Sequence, residues 1–470
     1  LGKSLLPSVR SKYSGVYNFN DGLNVYAEPL KIKDNQLSDC NNISNRNNKS
    51  SVSVRQGKSI GDINGVTYTN FSAIGRRDTQ LHVVYDKKYV IMGSLTNDTI
   101  ITVNGTGNFC EFNTGTENNM IYSNGTDRII YNGSTFTTLT NAPTGTYKFT
   151  ASQGRLYWIK GNKIIFSALQ LPNDYTTASG GGEITVTETS TLTAITSYDN
   201  KIIAWSESDM WILYGTDPET FQLVKISGDI GNTHIFGTCI CNGKLYWADL
   251  NFMYYYDGSL PVKMGDEIQK YIQKGKGIYH AGTYGNYLYL TMVQNDSTYY
   301  LLVYDAALNK WYKRNDKFKF YCKSDTQLLA ISIDDNKMYS IDSYTSNYEY
   351  NHTGIDYFGS NGTSPALIDW VFETKEFNYG AISKPSVLKE IWIRYSLGIG
   401  SGTHTMILQC SIDSGSYETL HTFEDTSGLS RTVRILLPND ALGKTIKFKF
   451  YGTGYFSIDY AELKYRIKTR

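Results

Sequence analysis

Apolar and polar positions along this chain alternate in short runs, and the runs come in pairs. The clearest pair starts at Gly243: an apolar-aromatic run Lys244-Leu-Tyr-Trp247, a polar break through Asp249-Leu-Asn251, a second run Phe252-Met-Tyr-Tyr-Tyr256, then Asp257-Gly258. Alternation over four to six residues bounded by Asn, Asp and Gly predicts strand, turn, strand. Related pairs open at residues 79, 118, 154, 200, 286 and 326, with steps between successive openings, Gly243 included, of 39, 36, 46, 43, 43 and 40 residues. A period of about 40–45 residues with some four short strands per unit is the signature of a β-propeller blade. One hairpin cannot bury its own apolar face, so blades must stack, and closing the ring protects the end strands. Six or seven blades fit residues 61–355, and a strand from residues 51–70 is a candidate to close the ring.

Outside the repeat the pattern changes. Residues 1–60 lack it: the polar run Asn41 to Ser50 predicts a loop or arm, and Ser51 to Gly57 alternates like a short strand. Val262 to Gly275 places Met264, Ile268 and Ile272 four apart, with acidic residues early and Gly275 late, which predicts a short helix packed on the blades. Residues 343–365 are polar and read as a linker. From 366 to 470 the strands lengthen, and Ile446, Phe448 and Phe450 alternate with Lys447 and Lys449, as in a β-sandwich with one solvated face. The expected fold is therefore all-β: a six- or seven-bladed β-propeller (61–355), a C-terminal β-sandwich (366–470) and an extended N-terminal arm (1–60).

Composition supports this. Tyr 39, Gly 42 and Pro 9 in 470 residues favour pleated surfaces and tight turns over helices. Lys plus Arg is 45 against 44 for Asp plus Glu, so no global field commits the chain to nucleic acid or an anionic membrane. No run approaches the ~20 apolar residues of a membrane-spanning helix, and Leu1 to Pro7 lacks a secretion-signal core. What precedes Leu1 is left open. Six scattered cysteines (Cys40, Cys110, Cys239, Cys241, Cys322, Cys410) read as buried thiols rather than a disulfide framework. Sequons at Asn97, Asn104, Asn124, Asn132 and Asn361 arise by chance in an Asn- and Thr-rich chain.

Chemistry is sparse. The six histidines show no paired spacing, and His234 with Cys239 and Cys241 lacks the usual two to four residues between zinc-binding cysteines. Ser411-Ile-Asp413-Ser-Gly415 resembles part of a sialidase Asp-box turn, but it occurs once and outside the propeller. Asp334-Asp335 sits in a turn. Trp158, Trp205, Trp247 and Trp311 read as blade packing rather than a sugar platform. Lys317, Lys319 and Lys323, and Lys464, Arg466, Lys468 and Arg470, read as solvated faces, with a DNA path as the alternative. No catalytic, cofactor-binding or metal-ligating residue is assigned, and an enzyme is not expected.

Asp229-Ile-Gly-Asn-Thr-His234-Ile-Phe-Gly-Thr-Cys239, followed by Asn242 to Trp247, Tyr256-Asp-Gly258 and the helix at 264–272, resembles the β-propeller nozzle or tail-tube-completing proteins of short-tailed phages and related packaged-DNA-stabilising proteins. Gly22-Leu-Asn24, Asp34-Asn35-Gln36 and Arg55-Gln56-Gly57 carry the same likeness, as do Arg434-Ile-Leu-Leu-Pro438 and Ile458-Asp-Tyr460. The resemblance implies a structural virion protein of a phage tail, made in the host cytoplasm. It would form a homo-oligomeric ring around the DNA exit channel beside other tail proteins (adaptor, fibre or needle components), with only non-specific contact to passing DNA and no membrane anchor. The alternative is a carbohydrate- or receptor-binding propeller, which requires exposed aromatics in its loops; Tyr344, Tyr348, Tyr350 and Tyr357 are the candidates.

Overall fold

The computed structural model describes residues 12–45, 49–60, 70–92, 100–273, 275–343, 355–358, 364–378, 386–398, 402–423, 427–437 and 442–467. Among the described residues seven propeller sheets follow one another along the chain, six antiparallel ones of four strands and a last one extended to six with one parallel pairing. The propeller thus has seven blades. Their second strands begin at residues 80, 118, 155, 201, 244, 287 and 327, each at or one residue after a repeat opening read from the sequence. Turn chemistry sets this register. Gln153-Gly154, Asp199-Asn200 and Asn242-Gly243 each hold two consecutive positive-φ residues, the two-residue hairpin that matches strand twist. The Asn-Gly-Thr and Asn-Gly-Ser sequons are turn devices too: the Asn124 Oδ1 accepts the N–H groups of Thr126 and Asp127 at 2.9 and 2.7 Å, and Asn132 repeats the pattern at Ser134 and Thr135.

Neighbouring blades share one apolar cluster each. Trp205, Met210 and Ile212 of blade 4 pack on Leu245, Trp247 and Tyr254 of blade 5. Blade 7 packs on blade 1 through Phe320, Leu329 and Ile331 against Ile74, Val83 and Val90, which closes the ring. The closure is also hydrogen-bonded. Blade 7 takes its first three strands from Phe318–Lys323, Gln327–Ser332 and Met338–Ser343, and its fourth from Ser59–Ile60, which pairs antiparallel with Tyr339 and Ser340. The ring-closing strand expected within 51–70 is this one.

The N-terminal segment is extended but does not stand apart as an arm. Lys12–Tyr17, Ile43–Ser44 and Val52–Val54 join one sheet of the sandwich with Phe456–Ile467, Ser386–Leu397, Arg431–Leu436 and Leu442–Gly443. Leu37–Asn41 joins the other sheet, with Asp369–Phe377, Ile446–Thr453, Thr405–Ile412 and Glu418–Phe423. The sandwich is therefore C-terminal in its bulk and completed from the N-terminus. Ile446, Phe448 and Phe450 are buried while Lys447 and Lys449 are not, as the alternation predicts. Residues 51–57 are buried throughout instead of alternating. In the polar run, Asn42 and Asn45 are buried. Asn42 sits at φ +57°, accepts Arg55 Nε (3.1 Å) and the Asn315 N–H (3.2 Å), and donates Nδ2 to the Asp369 carbonyl (2.7 Å). Asn42 enters the core because partners await its side chain, which hydropathy cannot register, whereas the Asn45 amide finds no partner among the described residues.

Two further expectations change. The helix is shorter: Val262–Met264 is the outer strand of blade 5, Gly265 breaks it at φ +77°, and a 3-10 turn Asp266–Ile268 leads into a helix Gln269–Gln273. Ile268 and Ile272 are buried as expected, but Met264 belongs to the strand, and Gly275 opens the next strand rather than capping the helix. The expected linker, 343–365, contains the strand Ile355–Phe358 and the start of Ser364–Leu367, which extend the sheet of blade 7.

A buried ion network ties these parts together. Arg55 donates both Nη atoms to the Asp356 carboxylate at 2.8 Å, and its Nε lies 3.4 Å from Asp316. Asp316 also accepts Arg314 Nε (2.8 Å) and Lys58 Nζ (2.7 Å). The three cations hold the Asp316 carboxyl far below the usual carboxylate range although its burial pushes the other way. The network joins the ring-closing segment, the blade 6–7 junction and the strand added to blade 7.

Candidate functional site

A propeller offers its axis as the natural site, where the innermost strands of all blades converge. Here the chain itself enters the axis and occupies part of it. Residues 229–238 run from the outer strand of blade 4 (Gln222–Gly228) to the inner strand of blade 5 (Cys239–Cys241), and on the way Ile235 reaches the blade 3–4 cluster and Phe236 reaches blades 6 and 7. Asn232 anchors the crossing: its N–H donates to the Ser206 carbonyl (3.0 Å), its carbonyl accepts Thr193 Oγ1, and its Oδ1 accepts the His234 N–H (3.1 Å). Thr233 Oγ1 donates to the Lys276 carbonyl at 2.7 Å. A turn follows, closed by the Gly237 N–H on the His234 carbonyl at 3.0 Å.

The turn projects Phe236 across the axis. Its ring stacks on His280 of blade 6 (centroids 4.8 Å, 12°), meets Phe320 of blade 7 edge-on (5.1 Å, 75°) and lies 6.3 Å from Tyr147, beside blade 3. The Phe236 carbonyl accepts the Ala281 N–H at 2.8 Å, while Ile235 packs on the blade 3–4 cluster. Beside this plug remains a chamber of about 350 Å³, walled by inner strands of blades 1, 2, 6 and 7 with Arg76, Asn108 and Lys323.

Glycine makes the crossing sterically feasible. A Cβ on Gly231 would overlap the Glu207 carbonyl, and one on Gly237 would overlap the Ile278 carbonyl. Both clashes are with backbone, so neither neighbour can rotate away. Gly237→Ala is expected to destabilise the chain by about 1–3 kcal/mol through overpacking, measured as a lower urea midpoint. An unchanged midpoint would show that the crossing segment yields.

Two histidines line the plug, and burial disfavours the charged form of each. His280 is 2% exposed and its Nδ1 accepts the Phe320 N–H at 3.2 Å, which places the ring proton on Nε2. Burial, with His234 and Lys319 nearby, holds its pKa well below the ordinary value. His234 stands edge-on to Tyr279 at 5.6 Å, and burial lowers its pKa as well. These rings pack and orient the plug.

His234, Cys239 and Cys241 are not gathered into a ligand set, and among the described residues no group of three His, Cys, Asp or Glu side chains is placed to hold a metal ion. Burial pushes both thiols up, Cys241 to about 11, so neither is a ready nucleophile. Asp413 caps a turn by accepting the Lys444 and Thr445 N–H groups at 2.8 and 2.9 Å. Asp334 pairs with Lys317 (3.1 Å), and Asp335 accepts the Tyr339 hydroxyl (2.7 Å), so these carboxylates hold a turn. Trp158, Trp205 and Trp247 are fully buried between blades, and Trp311 packs 4.4 Å from Tyr304. Lys319 donates to Asn336, and Lys464 pairs with Glu390 and Glu462. Lys468 and Arg470 lie outside the described residues, as do Tyr344, Tyr348 and Tyr350; the side chains of Arg466 and Tyr357 do too. Among the described residues no helix is long and apolar enough to cross a membrane.

No family model and no curated protein matches the chain. Solved structures with similarity include BBS1N in complex with ARL6DN (TM-score 0.41, 11% identity, covering 62% of this chain and 99% of that one). PorZ, a bacterial surface component of the type-IX secretion system of Porphyromonas gingivalis, scores 0.39 at 7% identity, covering 80% of this chain and 53% of its own. BamB from Moraxella catarrhalis scores 0.37 at 10% identity, covering 62% and 97%. At these scores the likenesses carry no functional argument, and the seven-bladed architecture rests on the sheets themselves.

Proposed function

We propose that this chain is a structural subunit of a bacteriophage tail, one member of a nozzle- or stopper-like ring around the DNA exit channel. The observation that carries the reading is Phe236 lodged in the axis against His280 and Phe320, supported by the sequence resemblance at the same segment, Asp229 to Cys239. A propeller whose centre is partly occupied by its own residues offers its outer faces for work. DNA would then pass between subunits, in a lumen bounded by several chains. Rings of this kind need heterologous contacts that close by rotation, and these need rigid subunits. Rigidity has a visible source here, because the N-terminal segment belongs to the sandwich and to blade 7 at once. The buried Arg55–Asp316–Asp356 network holds that junction.

Electron cryomicroscopy of virions from the encoding phage is the test. The expected result is a tail ring whose propeller axes are offset from the channel, while the purified chain is a monomer or weak oligomer by light scattering. Absence of the chain from virions, a single propeller coaxial with the DNA, or glycan hydrolysis by the free chain would overturn the reading.

A further inference from the structure

Where the N-terminal segment, the helix Gln269–Gln273 and blade 6 meet, a cleft of about 740 Å³ opens to solvent. Its size lies within the roughly 300–1,000 Å³ of small-molecule sites, and it sits at a domain junction, where such sites concentrate. We propose that this cleft binds a neutral oligosaccharide, with Tyr26 as the ring on which a sugar face stacks.

Four features carry the assignment. Tyr26 is 61% exposed in a chain that otherwise uses its aromatic rings for packing; among the described residues the next most exposed large aromatic is Tyr147, at 38%. An aromatic ring with a hydroxyl tip suits a ligand with an apolar face and polar edges. The walls are held in place before any ligand arrives. The Val25 N–H donates to the Glu267 carbonyl (2.9 Å), the Glu376 N–H to the Pro29 carbonyl (3.0 Å), and the Tyr300 hydroxyl to the Tyr271 carbonyl (2.7 Å). Such preorganisation reduces the entropy lost on binding.

The lining chemistry selects the ligand class. Two carboxylates, Glu28 and Asp39, face two ammonium groups, Lys270 and Lys313. Asp39 already pairs with Lys313 at 3.0 Å, and Glu28 with Lys31 at 3.0 Å. These pairs leave only the exposed Lys270 over, so the cleft offers a polyanion or polycation little, whereas a polyol meets both donors and acceptors. Gln273 and Gln294 add amides that both donate and accept, the planar groups that match paired sugar hydroxyls. The site is separate from the axial plug and independent of the tail reading, so either can fail without the other.

The full-length chain should be screened by saturation-transfer difference NMR against maltotriose, cellotriose, chitotriose and a galactose-containing trisaccharide. The expected result is transfer to at least one sugar at millimolar concentration, with affinity reduced tenfold or more in Tyr26→Ala and lowered in Gln294→Ala. Tyr147→Ala should leave binding unchanged. Tyr26 is exposed, so its replacement should leave the thermal transition in place. The proposal is overturned if no sugar shows transfer or if binding survives Tyr26→Ala undiminished. It is also overturned if an acidic peptide or a short DNA strand occupies the cleft in preference to every sugar.

Discussion

Asp316→Asn is expected to destabilise the chain by on the order of 3–5 kcal/mol, the cost of breaking a buried ion pair from one side. The substitution leaves Arg55, Arg314 and Lys58 around an amide, with Asp356 the remaining counter-charge in the network. All of these groups except Lys58 are nearly fully buried, so solvent cannot replace the lost carboxylate. The effect should be local before it is global. Ser59–Ile60 closes the ring through a short pairing with Tyr339 and Ser340, and the network holds the adjacent residues Arg55 and Lys58. Amide exchange at Met338–Ser343 should therefore accelerate in the variant more than exchange in blades 3 and 4. The matched control is Asp334→Asn, which removes an exposed pair with Lys317 and should cost no more than about 1 kcal/mol. Equal losses in the two variants would refute the latch.

The second large effect is acid lability from buried histidines. His82 bridges blades 1 and 2: its Nδ1 lies 2.9 Å from the Tyr89 hydroxyl, and its ring contacts Phe109 and Tyr131. Burial, and then the charge of Arg77, lower its pKa from 6.5 to about 3, while Asp78 opposes them weakly. The unfolded chain therefore binds a proton that the folded chain refuses. The contribution is fully present above pH 6.5 and is lost as pH falls from 6.5 towards 3, by on the order of 5 kcal/mol for the full shift. His280 acts with the same sign in the axial plug. Asp316 adds a separate loss below its unfolded value near 4, because its folded pKa is depressed. Urea midpoints measured from pH 8 to pH 4 should fall steeply below pH 6.5, and His82→Gln should flatten that fall. A flat profile in the parent chain would count against neutral buried imidazoles.

The repeat, its register and most of its packing were legible in the sequence for a physical reason. Hairpin turns are local: Asn242-Gly243 and Gln153-Gly154 set their own dihedrals, and the alternation of Leu245, Tyr246 and Trp247 follows from the pleat. Blade count was ambiguous because the seventh sheet borrows its fourth strand from residues 59–60, nearly 280 positions upstream of its partner Tyr339. The polar run at 41–50 read as a loop because the partners of Asn42, namely Arg55, Asn315 and Asp369, are invisible to a window of neighbours. The helix ran one turn too long because Met264 keeps helical spacing while pairing as a strand with Met253.

The site divides in the same way. Asp229 to Cys239 stood out in the sequence, but as a family likeness. That its Phe236 occupies the axis depends on Tyr147 beside blade 3, His280 of blade 6 and Phe320 of blade 7. Tyr26 drew no notice at all, since exposure is a property of what fails to cover a residue. By itself the sequence determined an all-β repeat, its turns and the alternation of each strand, because these are set by interactions within a few residues. Only the tertiary structure decided how the ring closes, that the N-terminal segment is core, and that Phe236 enters the axis. Each of these rests on contacts between groups tens to hundreds of residues apart, whose energies no local pattern encodes.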